Sequence, residues 1–505
     1  MNEIQVWEHV LKWRLAQSPE LPSDPTNFSK EDFKTLKNNM RQCIPFIRFH
    51  YLSSEEFSNK NRKEINIDSK IITPLLLRDS RDGFTEDDRN FVYPVKGYEL
   101  HVAVPVLWEI PGRIPLTKEA ESIIFNVILS HLSEDLRDNL KKQGINGLFT
   151  EAYQPPSFNY IIFWRHLDLQ LLEDMIKSRN VNESSINIII NELLLKLFIN
   201  KNTKFLSLFI PYNFKYQLHS ISWAEQCFSS LKFLHCNNRD KNIVEGLAII
   251  AKSINKLIYY IKDFNNDDIS GSLILIENQN NLNEIQIECC TIAQSKIIEK
   301  SLINKADTMQ HLQTIWDPED EFLSYFVNLS SLKIGDPYSY GHPNNKTYWC
   351  HLENKSSPGL KVLTANIDSH KNLDRMIKTT NGHLQEITLC HNGIFSDADY
   401  NRRLIQAIYQ NCPNLRYLSM PMKEQNFPEF EKLLINCQNL NGLIFKNEMS
   451  FKYKSLFEIL IKSSPMSLYK FKIDFNRKFG PKFKLLKSFF DNWKDRHPMI
   501  LQINM

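Results

Sequence analysis

Residues 411–420, Asn-Cys-Pro-Asn-Leu-Arg-Tyr-Leu-Ser-Met, hold the phrase on which the fold turns. Leu415, Leu418 and Met420 are apolar, with two variable positions inside the first gap and one inside the second. The alternation Leu418, Ser419, Met420 is that of a strand with one buried face, because successive side chains on extended backbone point to opposite sides. Upstream the phrase recurs as Phe205/Leu208/Ile210, Leu231/Leu234/Cys236, Ile254/Leu257/Tyr259, Leu282/Ile285/Ile287 and Met309/Leu312/Thr314. It continues as Leu329/Leu332/Ile334, Leu360/Leu363/Ala365 and Leu384/Ile387/Leu389. Downstream follow Leu440/Leu443/Phe445, Leu468/Phe471/Ile473 and a worn copy, Leu501 and Ile503. Copies begin 20 to 31 residues apart, and most gaps carry apolar residues at helical spacing. A unit of that size cannot bury its apolar residues alone, so the copies must stack, strand beside strand.

Phrase and period together are those of leucine-rich repeats. The expected fold class is therefore α/β: an irregular leucine-rich-repeat solenoid, with a small all-α region at the N-terminus. Its strands are expected to lie parallel on a concave face, with helices on the convex side, which makes a binding surface rather than a catalytic pocket. Leu384 to Ile394 is the copy that fits the full pattern, with Asn392 in the ladder position after the strand.

Composition narrows the function. A chain of 505 residues exceeds one core, and 42% apolar with 24% charged residues is the make-up of a folded protein. A net charge of +3 marks no polyelectrolyte, and 14 glycines leave no phosphate-cradling loop or dinucleotide fingerprint. The nine cysteines are scattered; Cys289 and Cys290 are adjacent, while Cys350-His351 and Cys390-His391 lack second ligand pairs at zinc spacing. Buried thiols in a reducing compartment are expected, with no metal and no cofactor. Charges within the first fourteen residues exclude a signal peptide, and Asn191, Glu192 and Lys196 interrupt the most apolar stretch, so no membrane span is expected. The expected location is intracellular, cytoplasmic or nuclear.

No catalytic set converges. His219, His235, His311 and His342 are isolated in sequence, and Asp267-Asp268 and Glu319-Asp320-Glu321 flank turns, where carboxylates cap helices. The chain is read as no enzyme. The segment Gly335 to Gly359 holds Tyr338, Tyr340, His342, Tyr348 and Trp349, either a ligand-gripping loop or a degenerate repeat packed on the solenoid edge. Near the C-terminus Arg477, Lys478, Lys482, Lys484 and Lys487 stand among Phe475, Phe479 and Phe483. Such interleaving suits a single-stranded nucleic-acid groove, and equally the solvated face of a helix whose Leu485, Leu486, Phe489, Phe490 and Trp493 turn inward. The solvated face is the favoured reading.

The N-terminus carries helical spacing at Ile4, Trp7, Leu11 and Leu15, and again at Phe33, Leu36, Met40 and Ile44. The stretch from Glu3 to Phe57, EIQVWEHVLKWRLAQSPELPSDPTNFSKEDFKTLKNNMRQCIPFIRFHYLSSEEF, resembles the later half of a BACK domain, the helical module that follows a BTB domain in cullin-ligase receptors. IDSKIIT (67–73) and LLLRDSRDGFTEDD (75–88) resemble two pieces of a TLDc domain. There Arg78, Arg81 and Asp82 are read as a strand-closing turn. VAVPVLWEIPG, Val102 to Gly112, is similar to the last helix and exit of an F-box, and the chain from about residue 99 onward resembles fungal F-box/leucine-rich-repeat proteins.

The expected organisation is thus a partial BACK-like helical domain (1–60), a linker with the TLDc-like fragment (61–98), a partial F-box-like segment (99–125) and the solenoid (126–505). Partial modules in series imply a chimeric product or a transcript joined across missing exons. The resemblance implies a non-catalytic interaction protein, a substrate-recruiting receptor of a cullin-RING ubiquitin ligase. A protein target would sit on the concave face, and a cullin-ligase adaptor would contact the remnant at Val104, Leu107 and Trp108. Lys361, Glu386, Arg416, Tyr417, Tyr469 and Lys470 are the expected target-binding residues, all taken as strand positions pointing out of the core. Two alternatives stand: a truncated scaffold without ligase attachment, and an anion- or RNA-binding module using the basic C-terminus.

Overall fold

The computed structural model describes the chain from Trp108 onward, except residues 110–117, 146–147, 150–155, 157–158, 180, 213, 237–239, 261–268, 289–291, 317–320, 336–358, 368–371, 392–396, 448–451, 476–480, 494–497 and 505. The BACK-like and TLDc-like stretches, Val104, Leu107, the aromatic insertion, Cys289, Cys290, Asn392, Arg477 and Lys478 lie outside the described residues. The chain divides into two compact units, Met1–Asn238 with Ile249–Lys252, and Arg239–Ala248 with Ser253–Met505.

The first unit begins, among its described residues, with helices α1 (Lys118–Ser130) and α2 (Glu134–Lys142). Ser133 caps α2 by accepting from the Leu136 N–H, with Glu134 and Asp135 in the first turn and Lys141 and Lys142 in the last, as the helix dipole favours. The position 125/126, where the F-box-like segment was expected to meet the solenoid, falls inside α1. Strand β1 (His166–Asp168) leads into α3 (Leu169–Lys177) and α4 (Glu183–Leu193); β2 (Ser207–Ile210), α5 (Ala224–Phe228) and β3 (Phe233–Cys236) follow. The strands run parallel, His166 beside Ser207 and Ser207 beside Phe233.

β1 is a copy of the phrase that the sequence reading passed over. Trp164, Leu167 and Leu169 carry its three buried positions. Trp164 packs 4.9 Å from Phe198 and 6.4 Å from Trp108, and Trp108 lies 4.8 Å from Tyr160. This aromatic cluster corrects one expectation: Trp108 is 1% exposed and presents no ring to an adaptor.

The second unit contains most of α6 (Lys241–Ile250), then β4 (Lys256–Tyr260), α7 (Ser270–Glu277), β5 (Glu284–Glu288), α8 (Ile292–Ile303), β6 (His311–Thr314) and β7 (Ser331–Ile334). It continues through β8 (Val362–Asn366), α9 (Leu373–Lys378), β9 (Glu386–Cys390), α10 (Ala398–Asn411), β10 (Tyr417–Pro421) and α11 (Phe427–Asn436). The last repeats are β11 (Gly442–Asn447), α12 (Tyr453–Ser463), β12 (Lys470–Phe475), α13 (Phe483–Trp493) and β13 (Ile500–Asn504). Each strand from β4 to β13 pairs in parallel with the next in chain order. The fold is α/β, a solenoid of leucine-rich-repeat type. Every quoted phrase falls on a strand. In the shortest repeat, from Met309 to Leu329, the described residues between its strand and the next carry a 3₁₀ turn, Phe322–Tyr325.

Register is fixed at the start of most strands by one carbonyl that accepts two N–H groups from the following repeat. The Gln385 oxygen accepts from Arg416 at 2.7 Å and Tyr417 at 3.0 Å, the Arg416 oxygen from Asn441 at 2.7 Å and Gly442 at 3.0 Å. The same motif joins Asn255 to Asn283 and Glu284, and Ser330 to Lys361 and Val362. Buried asparagines tie the other end: Asn401 on α10 donates to the Pro421 carbonyl at 3.0 Å and accepts from Asn426 at 2.9 Å.

All five described cysteines that are free thiols are buried. Cys412 and Cys437 close α10 and α11 at equivalent places in neighbouring repeats, and burial pushes each thiol up to about 12. Unfolded thiols deprotonate near pH ~8.5 while the folded ones keep their protons, so their contribution is complete below that pH and drains away as pH rises toward 12. The unfolding free energy from urea titration is expected to fall across that window, by up to about 1.4 kcal/mol per pH unit for each thiol. The slope should be shallower in Cys412→Ala/Cys437→Ala; an identical slope in that variant would exclude the thiols as its source.

Candidate functional site

Side-chain alternation sorts the strands of the second unit into two faces. Ile387, Leu418, Leu443 and Phe471 are buried, as are Leu389, Met420 and Phe445. Phe445 meets Phe430 of α11 edge-on at 5.1 Å, which identifies this as the helix-covered side. The opposite face carries a row of side chains in mutual register: Lys256, Glu284, His311, Ser331, Val362, Glu386, Tyr417, Gly442, Lys470 and Ile500.

Of the six expected target-binding residues, Glu386, Tyr417 and Lys470 stand in this row. The other three are corrected in position. Lys361, Arg416 and Tyr469 each lie one residue before their strand, where the backbone makes the doubled carbonyl contact, and all three are exposed. They border the face rather than forming part of the strands.

The structure brings Tyr417 and Tyr469 together across an intervening strand. Their hydroxyls lie 3.1 Å apart, although the residues are 52 positions apart in the chain and belong to repeats that are not adjacent. Gly442 on β11 makes this reach possible. A Cβ at that position would stand 2.7 Å from Cδ1 and 2.9 Å from Cε1 of Tyr417, closer than carbon atoms approach, so the ring lies directly over the glycine. The hydrogen bond to Tyr469 holds the Tyr417 hydroxyl above the ordinary phenol range, with burial adding to the same effect and the neighbouring Glu386 charge acting in the same direction. Arg416 opposes it. Two tyrosines in fixed geometry present a broad amphipathic surface whose ordering entropy has already been spent.

Sequence reasoning overlooked Gly442. The available signal was a glycine at the outward position of a strand phrase in a chain with 14 glycines in all. Gly442→Ala is expected to drive the Tyr417 ring off the strand and break the hydroxyl contact. Overall stability should shift by less than about 1 kcal/mol, since the added methyl offsets the displaced surface ring. NMR of ring-labelled tyrosine should show the Tyr417 hydroxyl titrating at lower pH in that variant; an unchanged titration would mean that the ring does not rest on the glycine.

No family model matches the chain, and no curated protein does. Among solved structures, a leucine-rich-repeat-containing protein, LegL7, from Legionella pneumophila is 12% identical, with a TM-score of 0.35 over 60% of this chain and 94% of that one. The complex of Rad7 and Elc1 in yeast includes a chain 13% identical, with a TM-score of 0.29 over 76% of this chain and 92% of that one. Both superpositions are loose, and no function passes from them to this chain.

The remaining candidates are dispersed. Among the described residues no three of His, Cys, Asp and Glu gather where a metal could sit, and no helix is long and apolar enough to cross a membrane. His311 stands in the outward row between Glu284 and Ser331, and the His235 ring lies 4.1 Å from Phe209 in the first unit. In α13, Phe489 and Trp493 are buried and Phe489 stacks on Phe457 at 4.6 Å, while Lys482, Lys484 and Lys487 are exposed. The expected inward face is narrower than the apolar spacing suggested: Phe490 is 43% exposed, and Leu485 and Leu486 are half-buried.

Proposed function

We propose that this chain is a non-catalytic recognition protein that grips a target protein on the strand face around Tyr417, Gly442 and Tyr469. The observation that carries the reading is the tyrosine pair held across a glycine. Side chains on an exposed face gain little stability from such an arrangement, whereas a binding surface gains rigid aromatic area. The resemblance of the chain from about residue 99 onward to fungal F-box/leucine-rich-repeat proteins supports the finer reading, a substrate-recruiting receptor of a cullin-type ubiquitin ligase. In that reading adaptor contact falls to the segment around Trp108 and not to its buried ring.

Affinity purification of the full chain beside a Tyr417→Ala/Tyr469→Ala variant tests both parts. A target lost from the variant while a cullin adaptor is retained is the expected result. An unchanged set of partners would place recognition elsewhere, and absence of an adaptor from both preparations would remove ligase attachment from the function.

A further inference from the structure

The outward face of the second unit is unevenly charged. On β4 to β7 the described charges balance: Lys256 and Glu284 form an ion pair at 2.7 Å, and Lys333 is offset by Glu288. On β8 to β12 they do not. Lys361, Arg416 and Lys470 stand on or beside the face, with Glu386 in their midst. This excess is local, since the whole chain carries only +3.

Two of the basic residues, Lys361 and Lys470, stand at the two ends of this stretch, and Arg416 stands beside its middle strand. Lys361 precedes β8 and Lys470 opens β12, with Tyr417, Gly442 and Ile444 on the strands between. Neighbouring strands lie about 4.8 Å apart, so four steps from β8 to β12 span roughly 19 Å, the length of about six residues of extended chain.

We infer that the target presents an extended acidic segment of about six residues, with carboxylates toward both ends and an aromatic or aliphatic side chain at its centre. This inference rests on the strand-face reading above and adds the chemistry of the occupant. Carboxylates toward one end meet Lys361 and Arg416, those toward the other meet Lys470, and the central apolar side chain lies against the Tyr417–Tyr469 surface. Glu386 is a like charge that such a ligand tolerates at a cost. A protein segment fits better than a nucleic-acid strand, because one face of the Tyr417 ring is already covering Gly442 and a phosphate at every step would meet the Glu386 carboxylate.

The test uses the full chain and fluorescein-labelled heptapeptides with a Gly-Phe-Gly centre flanked on both sides by glutamates or, in the control, by glutamines. Anisotropy titrations should show the glutamate peptide binding at least about tenfold more tightly than the control. Lys361→Glu/Lys470→Glu should erase that difference with the circular dichroism spectrum unchanged, and Glu386→Gln should tighten the glutamate peptide about two- to threefold. Equal binding of the two peptides, a preference that survives charge reversal, or no binding of either peptide up to about 1 mM, a level at which ΔG is only about −4.1 kcal/mol, would overturn the inference. An oligouridylate of the same length that binds more tightly than the glutamate peptide, and loses affinity on the same charge reversal, would overturn it in favour of RNA. Failure of the underlying reading is distinguishable. If charge is irrelevant but Tyr417→Ala/Tyr469→Ala abolishes binding of both peptides, the face stands and its acidic ligand falls. If the tyrosine variant binds as the native chain does, both fall.

Discussion

Replacing Phe445 with alanine is expected to lower the unfolding free energy of the second unit by about 3–5 kcal/mol. The ring is fully buried and meets Phe430 of α11 at 5.1 Å and Phe471 of β12 at 5.5 Å, so its removal opens a cavity shared by elements of three successive repeats. In a stacked-repeat protein stability is carried by each repeat and its contacts with its neighbours, and the loss should be felt locally first. Hydrogen exchange should therefore accelerate most for the amides of β10, β11 and β12, before any change in β4 to β6. Ile444→Ala, one residue away on the open face and half-buried, should cost less than about 1.5 kcal/mol. A loss below about 1 kcal/mol for Phe445→Ala would mean that the strand is rotated from the orientation described.

Tyr417→Ala is expected to weaken target binding about thirtyfold, the scale of a hot-spot truncation of about 2 kcal/mol. Three consequences combine in that variant. It removes the largest side chain of the row, exposes the backbone at Gly442, and leaves the Tyr469 hydroxyl without its 3.1 Å partner. Tyr417→Phe separates them, because it keeps the ring on the glycine and removes the hydroxyl contact, so an intermediate loss of about three- to tenfold is expected. Isothermal titration against the purified target decides the order. Equal affinity of the native chain and Tyr417→Ala would show that the tyrosine pair is not part of the interface.

The strands were legible in the sequence because burial writes itself into spacing. The described apolar positions of the phrases are buried, and even the worn copy at Leu501 and Ile503 lies on a strand. β1 escaped notice for a physical reason. Its leading position is filled by Trp164, whose ring serves the aromatic cluster with Phe198 and Trp108, and α3, α4 and a turn of π-helix stretch the distance to the next copy. Lys361, Arg416 and Tyr469 were placed one step too far into their strands because the doubled carbonyl contact that precedes each of these strands is made by backbone and leaves no mark on side-chain choice. The Tyr417–Tyr469 contact was illegible for a different reason. It joins strands that are not neighbours, and emerges only once three registers are aligned. Phe490 shows the limit of periodicity itself: an apolar residue one position after a buried one is pointed away by the helical turn, and the letter alone does not tell which of the two is inside.

The doubled carbonyl at the start of most strands makes the alignment of repeats a property of the peptide backbone, indifferent to the side chains of the outward row. That row can be rewritten one residue at a time with the scaffold unmoved, so ligand preference and fold can diverge independently, in evolution as in the laboratory. Gly442 is the exception, since any other residue there evicts a neighbour, and a lineage that changed its ligand would be expected to lose the glycine and Tyr417 together.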